Sequence, residues 1–528
     1  MTTVNLSLIS HTNAGKTTLA RTILQQDVGE VRDAAHVTQV ATGYLMVQAG
    51  DDALMLWDTP GFGDTARLVS RLRLSGNPIG WLLGQVWDRY RDRPLWSSQQ
   101  AVRNARDEAD VILYLVNASE DPVGAAYVPL EMEVLSFIGK PVVLLLNQAG
   151  PPTADGVSEE ERWKQHLGST GLIRGSLTLD AFARCWVQEL TLLQVVAPLL
   201  SPAKQPAMQA LIMAWSDRNL DRFKRSMQTL ADQLAETAAD REEIGERKWH
   251  DRVTGAVLNP TGGDMSAAGK RAIGKLGERL DKRIRASTDE LIQLHGLTGR
   301  AGNEILTRLR RDYTESAPAR EGVSVILGGL ASGAAGGLAA DLAAGGLTLG
   351  GGMLIGSILG ALGAGGAARG YNMVRGEQTN SARWSEEAFT GFVRSALLRY
   401  LAVAHFGRGR GDWEEAEHPT SWQAAVESMV AGEQRDIRQI WSRAKDSPRD
   451  QLARQIEHLL GRCSERLLVA FYPEARRLFE GEIGSSSQMI SALGAAPPAA
   501  HRQDGESGIA NGSALARQPT SEEGSPGT

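Results

Sequence analysis

The chain has 528 residues, which at roughly 100–200 residues per domain is room for about three units and excludes a single small domain. Its 56 basic residues against 62 acidic ones leave a formal charge of -6, so a uniformly basic surface for nucleic acid is excluded and only a local basic patch stays open. Glycine is in surplus, 58 residues where ~7% of a chain is ordinary, while aromatic residues reach 5%.

From about residue 1 to 200, short apolar runs alternate with loops and amphipathic stretches. This pattern predicts an α/β domain, a parallel sheet with helices on both faces. Val4 to Ile9, Leu54 to Trp57, Val111 to Val116 and Val142 to Leu146 read as buried strands, and Ala181 to Val187 is a less regular candidate. From 202 to 320 the chain turns charged and heptad-like, broken at Asn259-Pro-Thr-Gly-Gly263, which predicts a helical region. An apolar block follows at 323–368, then a second helical region at 381–482. After Gly484 the composition falls to Ser, Gly, Ala, Pro and Gln, which predicts a disordered tail over 484–528. Cys185 and Cys463 match no zinc spacing and the N-terminus lacks the basic start of a secretory signal, so a reducing, cytoplasmic setting is expected.

The chemistry starts at Ser10-His-Thr-Asn-Ala-Gly-Lys-Thr-Thr18, between the first apolar strand and a helical segment. It fits the phosphate-binding pattern G-x-x-x-x-G-K-[ST] except at the first position, where serine stands for glycine. Such a loop wraps backbone N–H groups around phosphates. Gly15 permits close approach, Lys16 reaches the β- and γ-phosphates and Thr17 supplies a magnesium ligand, with Asn13, Ala14 and Thr18 completing the loop. A second motif, Asp58-Thr-Pro-Gly61, closes the next buried strand. There an aspartate holds magnesium through its water shell and a glycine N–H senses the γ-phosphate. Together the two motifs predict a switch-type P-loop NTPase.

With Asn13-Ala-Gly-Lys-Thr17, Thr38 in HVTQV and Asp58-Thr-Pro-Gly61, the first 200 residues resemble GTPases of the Era and TrmE type. The whole chain looks like bacterial relatives that join such a domain to a long helical C-terminal region of uncharacterised function. The resemblance implies binding of GTP and GDP, slow hydrolysis, and use of the nucleotide state as a switch. It also implies Mg2+ held by Thr17, Thr38 and Asp58, with Lys16 and Gly61 as the catalytic contacts. The guanine-reading motif would be N-K-x-D, and here it is Asn147-Gln148-Ala149-Gly150, with Asp155 or the backbone near Gln188 as candidate substitutes for the missing carboxylate. Phe62 stands where a water-orienting glutamine is found in Ras-like proteins. Asn13 resembles an asparagine that in some family members holds K+, or else it hydrogen-bonds within the loop. Asp64 is open to two readings, a water-positioning group or a solvated loop carboxylate. Trp81, Trp87, Tyr90 and Trp96, set among arginines, read as an apolar face that transmits switch movement rather than a base-stacking surface.

The glycine surplus is concentrated in the apolar block, with 17 glycines between Gly322 and Gly370. Runs of 18 and 27 charge-free residues flank Asp341, each near the ~20 needed to cross a bilayer as a helix. Gly329, Gly333 and Gly337, then Gly352, Gly356 and Gly360, recur every fourth residue and fall on one helical face. The preferred reading is a hairpin in or on the cytoplasmic membrane, anchored by Arg320 and Arg369. A hairpin buried in the helical region and a Gly/Ala linker are the alternatives. The expected function is a GTP-hydrolysing switch coupled to a membrane-contacting helical effector region, with nucleic acid not expected as a partner. An RNA or ribosome assembly GTPase and a non-hydrolysing, nucleotide-stabilised scaffold are the rivals.

Overall fold

The main sheet is built outward from β1 (Thr3–Ser10), whose residues from Leu6 on are all buried, as a strand covered on both faces must be. It pairs in parallel with β3 (Asp52–Asp58) on one side and β4 (Val111–Asn117) on the other. Beyond β4 lie β5 (Val142–Asn147) and β6 (Ile173–Thr178), also parallel, and beyond β3 lies β2 (Thr42–Ala49), antiparallel at the edge. The order is β2-β3-β1-β4-β5-β6. The structure is a computed structural model, and it describes residues 1–26, 28, 38, 40–73, 93–148, 159–167, 171–179, 185–243, 267–297, 373–376, 379–405 and 418–480.

The four continuous apolar runs are the four inner strands, as expected, and the parallel sheet carries helices on both faces. The two edge strands are only half-buried and the sequence reading missed both: β6 has no such run, and β2 carries one at Tyr44 to Val47 that was passed over. The candidate strand from Ala181 to Val187 is corrected over 185–187, residues 181–184 lying outside the described residues. Cys185 is extended, but it caps α6 (Trp186–Val196), and Trp186, Val187, Leu190 and Leu193 follow the 3.6-residue period of a helix face. One face of the sheet is covered by α2 (Thr65–Arg73), α3 (Arg93–Asp107), α4 (Tyr127–Ile138) and α5 (Glu159–Leu167), which share a core with Ile9, Ile112, Tyr114 and Leu144.

The other face is covered by α1 (Lys16–Leu24), α6 and the helical region itself. Helix α7 (Gln205–Ala239) has 35 residues, about 50 Å at 1.5 Å per residue, and buries Met208, Leu211, Ile212, Trp215, Phe223, Met227 and Leu230 along one stripe. Its start is pinned to the sheet by Lys204, whose Nζ donates to Thr3 O at 2.7 Å and meets Asp110 Oδ2 at 2.7 Å. Around it pack α8 (Ala267–Leu294), α9 (Glu386–Ala404), α10 (His418–Gly432), α11 (Gln434–Arg443), α12 (Arg449–Phe471) and the short α13 (Arg476–Phe479). The N-cap of α9 is Ser385, whose hydroxyl accepts from Ala388 N at 3.1 Å, with Glu386 and Glu387 in the first turn where the helix dipole favours them. The C-terminal region is thus mostly helical, as expected.

A small antiparallel sheet of β7 (Arg241–Glu243), β9 (Thr379–Arg383) and β8 (Met373–Gly376) interrupts it. Residues Met1 to Gly484 form one compact unit. Among the described residues, no helix is long and apolar enough to cross a membrane. The block at 323–368, Asn259-Pro-Thr-Gly-Gly263, the tail at 484–528, and Trp81, Trp87 and Tyr90 lie outside the described residues; Trp96 is half-buried on α3.

Candidate nucleotide-binding site

The site forms at the carboxyl ends of the strands, where parallel α/β sheets present their loops. Strand β1 ends at Ser10 and α1 begins at Lys16, so the five residues between them must turn sharply. Asn13 at φ 69° and Gly15 at φ 91° supply the left-handed backbone for that turn. A β-carbon on Gly15 would lie 2.8 Å from Asn147 Nδ2, so glycine is required by space as well as by angle. Asn147, at the end of β5, is buried and donates from Nδ2 to Ala14 O at 3.2 Å, which ties the base end of the site to the phosphate loop. Ala14 and Thr18 are buried beneath the loop, while the Asn13 side chain is exposed and has no hydrogen-bond partner among the described residues, against the intraloop reading.

Lys16 is 7% exposed, and its Nζ donates to Ser10 Oγ at 2.8 Å and to His11 O at 3.3 Å. Serine at the first position of the motif therefore acts as an internal acceptor for Lys16. Burial pulls the Lys16 pKa down to about 8, although Asp58 and Glu131 pull it back up. Such an ammonium is poised to gain from a phosphate anion.

The residues expected to hold magnesium come together. Thr17 Oγ1 donates to Asp58 Oδ2 at 2.7 Å and lies 3.1 Å from Thr38 Oγ1. Asp58 is 1% exposed, burial pushes its pKa up, and its Oδ1 is buried with no hydrogen-bond partner. An orphaned carboxylate oxygen beside two hydroxyls is a hard oxygen donor set, which fits a magnesium ion. Among the described residues there is no group of three or more His, Cys, Asp or Glu able to hold a metal by themselves.

Gly61 packs directly on the loop, and a β-carbon there would lie 2.8 Å from Thr12 Cα and 3.1 Å from Lys16 Nζ. The next residue is locked by backbone pairing, with Phe62 N donating to Ser10 O at 3.0 Å and Thr12 N to Phe62 O at 3.1 Å. The Phe62 ring is fully buried among the residues of the α2–α5 face, so it orients no water. Asp64 caps α2, its Oδ1 accepting from Arg67 N at 3.0 Å, which makes it a structural carboxylate rather than a water-positioning one.

At the base end, Gln148 is exposed at φ 57°. Ala149, Gly150 and Asp155 lie outside the described residues. The Gln188 backbone N–H is spent on Cys185 O at 3.0 Å and its side-chain Oε1 accepts from Cys185 N, so Gln188 caps α6 instead of offering a base contact. Two contributors escaped the sequence reading. Ser98 on α3 accepts from Gly63 N at 3.1 Å, and Glu131 on α4 lies against His11. The signal for Glu131 was an acid in the apolar stripe of Val128, Met132 and Leu135.

A glycine-hinged loop between β1 and α1, a buried lysine at the start of α1, and a threonine of α1 paired with an aspartate at the end of β3 define a P-loop nucleotide-binding domain of the switch type. Comparison with known proteins gives the family. The chain belongs to the family described as domain of unknown function (DUF3482), whose model matches residues 173–461. Residues 5–148 match the family described as 50S ribosome-binding GTPase, and the N-terminal domain is a GTPase domain. Among solved structures, the chain is similar to Era from Aquifex aeolicus bound to GDP and AlF4-, at 13% identity over 57% of this chain and 100% of that one, with a TM-score of 0.29. It is also similar to Era in complex with MgGDPNP and a segment of 16S ribosomal RNA, at 18% identity over 56% of this chain and 90% of that one, with a TM-score of 0.28. No curated protein matches the chain.

Proposed function

We propose that the protein is a GTP-hydrolysing switch whose nucleotide state is passed to the helical region, and that this region contacts the cytoplasmic membrane through residues 323–368. The observation that carries the switch reading is the join at the end of α1. Arg222 on α7 donates from Nη1 to Gln25 Oε1 at 2.8 Å, and Arg21 Nε donates to Val28 O at 2.5 Å. Gln25 is the C-cap of α1, and the chain from there leads to Thr38 at the magnesium site. Loss of the γ-phosphate would release Thr38, and Gln25, which precedes it in the chain, is held by the helical region.

In this reading Lys16 stabilises the β- and γ-phosphates. Thr17, Thr38 and Asp58 hold Mg2+, Gly61 reports on the γ-phosphate, and Asn147 with Gln148 borders the base. The side chain of Asn13, exposed and without a hydrogen-bond partner among the described residues, supports K+ as a second cation, in the role an arginine finger fills elsewhere. The membrane arm is supported by the charge-free runs either side of Asp341 and their four-residue glycine spacing.

Liposome co-sedimentation with a non-hydrolysable GTP analogue or GDP, for wild type and for a deletion of 323–368, tests the whole. The expected result is nucleotide-dependent binding that the deletion abolishes; equal behaviour of the two chains removes the membrane arm. A second reading, ribosome or RNA binding, is favoured by the family matched at residues 5–148. Nucleotide-dependent co-sedimentation with ribosomes in the absence of lipid binding would establish it. No turnover with K+ and Mg2+ present would leave the nucleotide-stabilised scaffold.

A further inference from the structure

Glu131 on α4 is a fully buried carboxyl group that no step of phosphate binding uses, yet it touches both parts of the site that must stay in register. Its Oε1 lies 2.8 Å from His11 Nδ1 and accepts from Thr65 Oγ1 at 3.2 Å, and its Oε2 accepts from Tyr114 Oη at 2.6 Å. His11 is the second residue of the phosphate loop. Thr65 opens α2, just beyond Gly61. The His11 ring is held on its other side by stacking on Tyr127, with ring centroids 4.2 Å apart, and Tyr127 in turn donates to Glu120 Oε2 at 2.8 Å.

An apolar residue at this position would pack directly with Val128, Met132 and Leu135, because the position lies on their stripe. Burying a carboxyl group instead is costly unless every lone pair that matters is met, as the three partners here do. What that arrangement gains is a junction. Through His11 it fixes the peptide whose carbonyl receives Lys16 Nζ at 3.3 Å and Ser10 Oγ at 2.6 Å. Through Thr65 it fixes the far end of a short arc that begins at Gly61. The near end is fixed by the pairing of Phe62 with Ser10 and Thr12, and the middle by Gly63 N on Ser98 Oγ. Lys16 and the Gly61 amide are thus referred to one rigid point on α4.

We propose that Glu131 is a positioning residue for GTP hydrolysis, clamping the phosphate-loop His11 and Thr65 at the start of α2 together so that Lys16 and Gly61 keep their spacing while the γ-phosphoryl group transfers. The role rests on the hydrolase reading. Glu131 touches the loop and the switch rather than the nucleotide, so its loss is felt where alignment limits the rate and not in ground-state binding.

The test is a kinetic series on the full chain: wild type, Glu131→Gln, Thr65→Val, Thr65→Ser and the Glu131→Gln/Thr65→Val double variant. Each is measured for kcat and KM with GTP, for GDP affinity and for melting temperature. Glu131→Gln and Thr65→Val are expected to lower kcat about tenfold each, the scale of one hydrogen bond to a charged group, with KM and GDP affinity within about twofold of wild type. The double variant is expected to be no slower than Glu131→Gln alone, because both changes break one clamp, and Thr65→Ser, which keeps the hydroxyl, to retain wild-type kcat. Unchanged kcat in Thr65→Val overturns the proposal, as do additive losses or a parallel fall in nucleotide affinity. Should Glu131→Gln fail to fold, the Thr65 pair decides alone. A wild type that binds GTP without turning it over removes the hydrolase reading itself, and this role with it; an active wild type with indifferent variants removes only the clamp.

Discussion

Replacing Lys16 by methionine is expected to stabilise the nucleotide-free protein while abolishing its response to nucleotide. Burial lowers the Lys16 pKa from 10.5 to about 8, so at neutral pH the folded chain carries an ammonium it would rather discharge. At ~1.4 kcal/mol per tenfold change in proton affinity, that costs the folded state ~3 kcal/mol. Methionine has a similar length and no charge to desolvate. It loses the hydrogen bonds to Ser10 Oγ and His11 O, which give back ~1 kcal/mol. The net gain of ~2 kcal/mol corresponds to a rise of about 2 °C in melting temperature for a unit of this size.

The pH dependence fixes the sign. Below about 8 both folded and unfolded wild type are protonated, and the folded state bears the full cost. Between about 8 and 10.5 only the unfolded state keeps the proton, so wild-type stability rises with pH and the variant's advantage fades. Differential scanning fluorimetry at pH 7 and pH 10 reads this directly. With a GTP analogue at a hundred times its Kd, wild type should gain ~2.7 kcal/mol and the variant nothing. A variant that melts below wild type at pH 7 without nucleotide, or one that keeps its full advantage at high pH, refutes the account of Lys16 as a buried, strained cation.

The same buried electrostatics predict that Asp58→Asn removes the magnesium dependence of GTP binding, read by calorimetry with and without EDTA. Because burial disfavours the Asp58 charge, the nucleotide-free protein should not lose stability. Gly15→Ala forces a β-carbon into a backbone at φ 91° and to 2.8 Å from Asn147 Nδ2. It should cost ~1–3 kcal/mol in denaturant unfolding and abolish binding of a fluorescent GDP. In the helical region, the guanidinium of Arg399 is buried and donates to Ser287 Oγ, Thr288 Oγ1 and Gln233 Oε1 at 2.8, 2.9 and 2.7 Å. Arg399→Ala strands those acceptors and should cost ~3 kcal/mol or more, with hydrogen exchange speeding up first along α8.

The phosphate loop was legible because its requirements are local. Gly15 must turn the chain, Lys16 must open the helix, and the aspartate must close a buried strand, and each condition is met within a few residues of sequence. The four inner strands were legible for a related reason, since a strand covered on both faces reads as an unbroken apolar run. The edge strand β6 and the small sheet of β7, β8 and β9 left no such mark, while β2 carries an apolar run at Tyr44 to Val47 on a strand that is only half-buried. Arg241-Glu242-Glu243 has no apolar residue at all and is a strand only because Ser381 to Arg383 pair with it.

The residues themselves determined a nucleotide site, an α/β first half and a helical second half. Tertiary structure decided how the two halves meet: Trp186 donates to Tyr400 across 214 positions, and Arg222 reaches Gln25 across 197. It also decided that Phe62 turns inward, that Asp64 caps a helix, and that Glu131 reaches His11 and Thr65. Spacing along a chain fixes dihedral angles and hydrogen bonds within a turn or a strand. Which distant side chains share a buried point depends on how whole elements pack, and no local pattern of residues carries that information.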